Sequence, residues 1–219
     1  MKEHKKITGG NFLALGLYAF LGLGMEVVLL MLEQDFYKVN INEWDTSRHI
    51  LHWIFTCVIW GVFAVALALW AKRRCQFSIM GERRRAPAVN WIIAILLVAV
   101  CVGLNAWARG TLKLIGEFTG KELSSFIFQY IYYVFEVFLV FSVMAYGQKA
   151  GEMWFGSSKV PWGGILVGLT WGLVHSLTKG SILVGLEALV AGVLYGCIYL
   201  LMKKRAVYAY PLLLVAFAL

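Results

Sequence analysis

The sequence predicts an all-α fold: a polytopic transmembrane helical bundle of six to seven spans, forming a single integral membrane domain over residues 1–219. Hydrophobic residues make up 61% of the chain and charged residues only 15%, and the mean hydropathy is +0.75. A water-soluble protein carries far more charge on its surface. The formal net charge of +8, in a chain this apolar, indicates membrane topology and argues against a nucleic-acid partner.

Seven apolar runs supply the predicted spans. A helix needs about 20 mostly apolar residues to cross a bilayer, because lipid offers no partner to an unpaired backbone group. The first run is too long for a signal-peptide core and is predicted to be retained. The last run contains Pro211 and reaches only about 21 Å, so it is a short span, a re-entrant segment or a tilted helix. The predicted spans are 11–32, 49–71, 88–108, 124–147, 162–178, 181–202 and 206–219.

The basic residues of the loops predict a cytoplasmic N-terminus, because cytoplasmic loops carry the excess of Lys and Arg. The loop 72–85, KRRCQFSIMGERRR, dominates this excess. We expect a protein of a bacterial plasma membrane, with the lipid bilayer as its first partner; the oligomeric state stays open. The predicted cytoplasmic side also holds Lys2, Lys5, Lys6, Lys149, Lys159, Lys203, Lys204 and Arg205, and the outer side holds Lys38, Arg48, Arg109, Lys113, Lys121 and Lys179.

Polar side chains inside the spans form the predicted site. An ionisable group at that depth is costly unless it faces protein or water. Counting from the span ends places several such groups in the outer third of the bilayer, and Glu136 nearer the middle of its span. A layer of this kind predicts a water-accessible pocket between helices; alternatively, each group is satisfied separately by snorkelling or by a hydrogen bond between helices. The layer comprises Glu26, His49, His52, Asn105, Gln129, His175 and Glu187.

The sequence predicts neither a metal nor a cofactor. No His-x-x-x-His or Glu-x-x-His pair places two ligands on one helix face, and the four cysteines have no Cys-x-x-Cys spacing. The glycines of 161–201, including Gly192-x-x-x-Gly196, predict closely packed helices.

Three features of the last third carry a resemblance to a known family. Glu136 lies in the aromatic run YYVFEVFLVFSVM, Trp171-Gly-Leu-Val-His175 is similar to a Phe-x-x-x-His motif, and Gly192-x-x-x-Gly196-x-x-Tyr199 follows. Residues 130–219 thereby resemble the CPBP (Abi) family of intramembrane glutamic endopeptidases, which includes the CAAX proteases and bacteriocin-immunity proteins.

The resemblance implies a CPBP-like intramembrane endopeptidase or a catalytically impaired relative. Glu136 would activate a water, and His175 would orient that water and stabilise the oxyanion, with Glu187 or His52 as helper. The implied substrate is a peptide or a lipidated peptide. The chain departs from the family where Val137 follows Glu136, where no arginine stands at 140 or 141, and where no histidine follows His175.

An alternative function uses the same polar layer without hydrolysis. It is a membrane binder or transporter whose outward-facing pocket takes a cation, a proton or an amphiphile. A carboxylate within hydrogen-bond reach of His175 would favour hydrolysis, whereas carboxylates spread around a closed pocket would favour binding. The predicted pocket-lining residues are Glu26, His52, Gln129, Trp171 and Glu187.

Overall fold

A computed structural model describes residues 7–219, which are 82% helical and contain no strand. The N-terminal lysines Lys2, Lys5 and Lys6, used above for topology, lie outside the described residues. The helices are α1 (Gly9–Tyr37), α2 (Thr46–Cys75), α3 (Ala88–Arg109), α4 (Lys113–Thr119), α5 (Leu123–Phe155), α6 (Trp162–Val167), α7 (Leu173–Thr178), α8 (Ile182–Leu201) and α9 (Ala206–Ala218).

Five of these helices, α1, α2, α3, α5 and α8, are long and apolar enough to cross a membrane. The predicted helical membrane architecture is confirmed to that extent, while the count of six to seven spans is not. The predicted span 162–178 is divided into α6, a π-helical turn over Gly168–Gly172, and α7. The predicted span 206–219 corresponds to α9, a helix of 13 residues with Pro211 inside it.

The long helices extend beyond the predicted boundaries. The predicted first span ends at residue 32, but α1 continues to Tyr37. The predicted fourth span ends at residue 147, but α5 continues to Phe155. A span predicted from hydropathy ends at the first polar residues. The helix itself ends where its last backbone groups are capped. Lys38 and Gly156 take the left-handed conformation that commonly ends a helix. The extension of α1 carries Glu33 into the interior, where it is buried.

The helix α5 lies at the centre of the bundle. It packs against α1, α2, α6 and α9, and the stretch from Leu139 to Met144 holds several of the most buried side chains in the core. A central helix of this kind is apolar around its whole circumference. Polar groups of α5 therefore face other helices and are available to a buried site.

Glycines bring α6 and the π turn against α8. A Cβ added to Gly164 would lie 2.6 Å from the carbonyl oxygen of Gly192 and 2.7 Å from the Cα of Gly196. The predicted close packing at Gly192-x-x-x-Gly196 is confirmed. Gly172 approaches the backbone of Leu189 in the same way. This contact fixes the segment that carries Trp171 and His175.

The bundle has two ends, named here by the termini of α1. At the Gly9 end, Gly9 packs against Trp154, and Lys204 forms an ion pair with Glu152 at 2.8 Å. At the Tyr37 end, the backbone N–H of Lys113 donates to the carbonyl of Leu219 at 3.0 Å. The candidate site lies nearer the Tyr37 end.

Candidate functional site

Trp171 connects the two residues that the family resemblance singles out. Its indole N–H donates to Oε1 of Glu136 at 3.2 Å. Its ring packs edge-on against the imidazole of His175, with centroids 4.4 Å apart, and its backbone carbonyl lies 2.7 Å from His175 Nδ1. Glu136 and His175 thus flank one tryptophan. Among residues 7–219, no hydrogen bond joins them directly.

The local backbone explains why Trp171 reaches both residues. Trp171 and His175 are four residues apart on consecutive helical turns, so they lie on one face. The π turn that contains Trp171 is packed on α8 through Gly168 and Gly172. Glu136 and His175 each keep part of their surface exposed, while Trp171 is buried.

The tautomer of His175 follows from its partner. A carbonyl oxygen only accepts hydrogen bonds, so the contact with Trp171 places a proton on Nδ1. In the neutral ring, Nε2 is then an acceptor. His175 is accordingly suited to accept a hydrogen bond from a water.

A second site surrounds His52. Its Nδ1 lies 2.5 Å from Oε2 of Glu33, and its Nε2 lies 3.6 Å from Oε1 of Glu26. The hydroxyl of Tyr132 donates to the same Oε1 of Glu26 at 2.8 Å. Trp44 covers the imidazole, with ring centroids 5.9 Å apart. The predicted residues Glu26 and His52 are therefore brought together, on α1 and α2.

Gln129 belongs to a third network. It accepts a hydrogen bond from Lys121 at 2.5 Å and donates to Tyr133 at 2.5 Å. Both Gln129 and Tyr133 donate to Glu117, at 3.3 and 2.8 Å. Burial lowers the pKa of Lys121, and Glu117 acts in the opposite direction. Gln129 is satisfied within this network and does not contact the His52 site.

Lys113 is a buried cation next to these networks. It is 5% exposed, and its ammonium lies 4.0 Å from the ring centroid of Tyr133 and 3.9 Å from that of Phe217. It also donates to the carbonyl of Phe217 at 3.2 Å. Burial lowers the pKa of Lys113 to about 8, while the carboxylates of Glu136 and Glu117 act to raise it.

Glu187 does not join any of these networks. It is partly exposed on α8 and forms no hydrogen bond or ion pair with the residues that the structure describes. Its sequence position matched the depth of His175, but depth along an axis does not determine which way a side chain points. Within residues 7–219, no group of three or more His, Cys, Asp or Glu side chains is arranged to hold a metal.

An apolar groove lies between α2 and α5, close to the polar groups. Its volume is about 330 Å³, and its lining includes Trp53, Cys57 and Gly61 of α2 and Phe135 of α5. Phe135 directly precedes Glu136 in the chain. The groove thus lies beside the segment of α5 that carries Glu136.

Several polar residues of these networks, among them Glu33, Glu117 and Lys113, were not among the predicted site residues. Glu33 has a sequence signal, because it follows Glu26 by two helical turns and lies on the same face. Glu117 and Lys113 have none, since the chain between α3 and α5 has the pattern of an exposed loop. Their contacts with Tyr133 depend on α4 packing under α5 and α9.

Comparisons with known proteins gave no match to a family model, to a curated protein or to a solved structure.

Proposed function

We propose that this chain is a CPBP-like intramembrane endopeptidase, or a catalytically impaired relative, whose site is formed by Glu136, Trp171 and His175. The observation that carries the proposal is the shared contact with Trp171: its indole holds Glu136, and its ring and carbonyl hold His175. Two residues 39 positions apart in the sequence thereby contact the same tryptophan.

The chemistry assigned to the site is water activation. Glu136, with one oxygen held by the indole, accepts a proton from a water that attacks the peptide carbonyl. His175, with its proton on Nδ1, accepts the second hydrogen bond of that water at Nε2 and orients it. The proton taken by Glu136 then passes to the amine that leaves. The indole hydrogen bond orients the carboxylate of Glu136 toward the water, and the hydrogen bond at Nδ1 leaves Nε2 of His175 as the acceptor.

The same geometry supports low activity. No carboxylate lies within hydrogen-bond reach of His175 among the described residues, and a neutral imidazole with its proton on Nδ1 offers no donor to an oxyanion at Nε2. An impaired enzyme would retain peptide binding. We further propose that the chain lies in a bacterial plasma membrane with its N-terminus in the cytoplasm, and that its substrate is a peptide or lipidated peptide.

A second candidate function is favoured by the His52 site. Two carboxylates and one imidazole converge there inside a helical membrane protein, which is typical of residues that bind protons or cations. In that function the chain is a binder or transporter without hydrolytic activity.

Peptide cleavage in proteoliposomes tests the first proposal. Fluorogenic peptides with unmodified and with prenylated C-termini would be offered to the parent chain, to Glu136→Gln, to His175→Ala, and to the control Glu122→Gln, which changes an exposed carboxylate at the start of α5. We expect cleavage by the parent and the control, and its loss in the other two variants. Cleavage that survives both Glu136→Gln and His175→Ala would overturn the assignment, as would a parent with no activity and no saturable peptide binding.

A further inference from the structure

A stripe of polar side chains follows one face of α2. His52, Thr56 and Trp60 are spaced by four residues, so they lie above one another along the helix. They are 3%, 1% and 1% exposed. The stripe faces α1 and α5, where Glu26 and Tyr132 lie. We refer to His52, Thr56 and Trp60 with Glu26, Glu33 and Tyr132 as the polar seam.

Three atoms of the polar seam are buried without a partner among the residues described. They are Oε1 of Glu33, Oγ1 of Thr56 and the indole Nε1 of Trp60. A buried polar atom without a hydrogen bond costs about 1 to 3 kcal/mol. Such atoms are commonly satisfied by internal water, which bridges two to four polar groups. Each of these atoms can bond a water: the carboxylate oxygen accepts, the indole N–H donates, and the hydroxyl does either.

The polar seam leads from the Tyr37 end of the bundle toward Glu136. Glu33 bonds His52, which lies beside Glu26, and Tyr132 donates to Glu26. The rings of Trp60 and Tyr132 are 4.8 Å apart. Tyr132 precedes Glu136 by one turn of α5 and shares its face. A chain of polar groups therefore connects α1, α2 and α5 down to the level of the proposed site.

We propose that the polar seam holds internal water and conducts it from the Tyr37 end of the bundle to Glu136. Its role as a supply of water for hydrolysis rests on the proposed function. The hydration of the polar seam does not rest on the proposed function, because the buried polar atoms require partners whatever reaction the chain performs. A hydrolase site surrounded by lipid needs such a path, since the hydrocarbon core contains almost no water.

Hydrogen–deuterium exchange at tryptophan indoles tests the hydration. The chain would be labelled at the indole nitrogens and followed by NMR in micelles, with Trp60→Phe identifying the Trp60 resonance. The reference is Trp162, whose indole donates to the carbonyl of Ser157 near the Gly9 end. We expect the Trp60 indole to exchange as fast as that of Trp162, because water reaches it through the polar seam.

Thr56→Val then removes one water partner while preserving side-chain shape. We expect exchange at Trp60 to slow by about tenfold, with exchange at Trp162 unchanged. The variant should fold, since valine fills the same space and no protein group loses a hydrogen bond when the Thr56 hydroxyl is removed. Glu33→Gln, which keeps the shape and one acceptor oxygen, provides a second variant at the entrance and is expected to slow exchange in the same direction.

The results separate this inference from the proposed function. If the Trp60 indole of the parent stays protected as long as the slowest backbone amides of α5, the polar seam is dry and the inference is wrong. The same conclusion follows if Thr56→Val and Glu33→Gln both leave the exchange rate unchanged. Rapid exchange in a parent that neither cleaves peptide nor binds it saturably would overturn the proposed function and leave the hydrated seam intact.

Discussion

The indole N–H of Trp171 donates to the carboxylate of Glu136 at 3.2 Å. This bond crosses from the π turn to the central helix α5, and it joins residues that are 35 positions apart. Because the same tryptophan also contacts His175 through its ring and its carbonyl, one side chain determines the geometry of both proposed catalytic groups.

Replacing Trp171 with Phe removes the donor to Glu136. A hydrogen bond to a charged group contributes about 1.5 to 3 kcal/mol, against about 1 kcal/mol for a neutral one. We expect Trp171→Phe to lower the free energy of unfolding by about 1 kcal/mol more than Trp162→Phe, whose indole donates to the neutral carbonyl of Ser157. Denaturant unfolding in micelles measures both. Equal losses would mean that Glu136 is uncharged or that the bond contributes nothing.

Replacing Glu33 with Leu leaves His52 without its nearest carboxylate. Removing the acceptor of a buried hydrogen bond costs about 1 to 3 kcal/mol, because the remaining imidazole N–H stays buried without a partner. The control is Asp35→Leu on the same helix, where the carboxylate is 82% exposed and paired only with Lys38; we expect a change within about 0.5 kcal/mol there. The prediction is wrong if thermal unfolding in micelles gives the two variants the same midpoint.

Adding a methyl group at Gly164 forces α6 away from α8. The new Cβ would meet backbone atoms of Gly192 and Gly196, which cannot rotate away. Overpacking of this kind costs about 1 to 3 kcal/mol. Gly103→Ala in α3 is the matched control, since its added Cβ would meet no atom within 4 Å among the described residues outside its own stretch of helix, and a helical Gly→Ala change is expected to stabilise by about 0.5 to 1 kcal/mol. Opposite signs in denaturant unfolding are the expected result.

Lys113 makes the stability of the chain depend on pH in the alkaline range. Its pKa is lowered from 10.5 to about 8 in the folded chain, so between these values the unfolded chain binds the extra proton and the folded chain does not. The contribution of Lys113 to the free energy of unfolding therefore rises with pH from 8 to 10.5, by at most about 1.4 kcal/mol per pH unit. Below pH 8 both states are protonated and this contribution stays constant.

Variants at two lysines check that origin. Lys113→Met should remove this contribution, so that the slope of unfolding free energy against pH becomes less positive than in the parent, because methionine has no titrating group. Lys38→Met should keep it, since that side chain is 75% exposed. A Lys113→Met variant whose unfolding free energy has the same pH slope as the parent, or a more positive one, would contradict the sign of the shift.

The membrane class and the candidate polar residues followed from the sequence by itself. Apolar runs of about 20 residues determine where helices form in lipid, since every backbone group must be paired within the helix. The cost of burying an ionisable group is enough to single out Glu26, His52 and Glu136 as candidates. Glycine spacing likewise predicts the close packing of α8 on α6, because only the absent side chain permits that approach.

Only the tertiary structure decided which of these groups meet. Glu187 and His175 have similar depths, yet Trp171 and not Glu187 contacts His175, because the direction of a side chain depends on helix rotation and on the π turn. Glu33 and Lys113 entered the interior through an extended α1 and a short α4, neither of which hydropathy detects. Local patterns determine helices and their burial; the pairing of residues on different helices depends on how those helices pack.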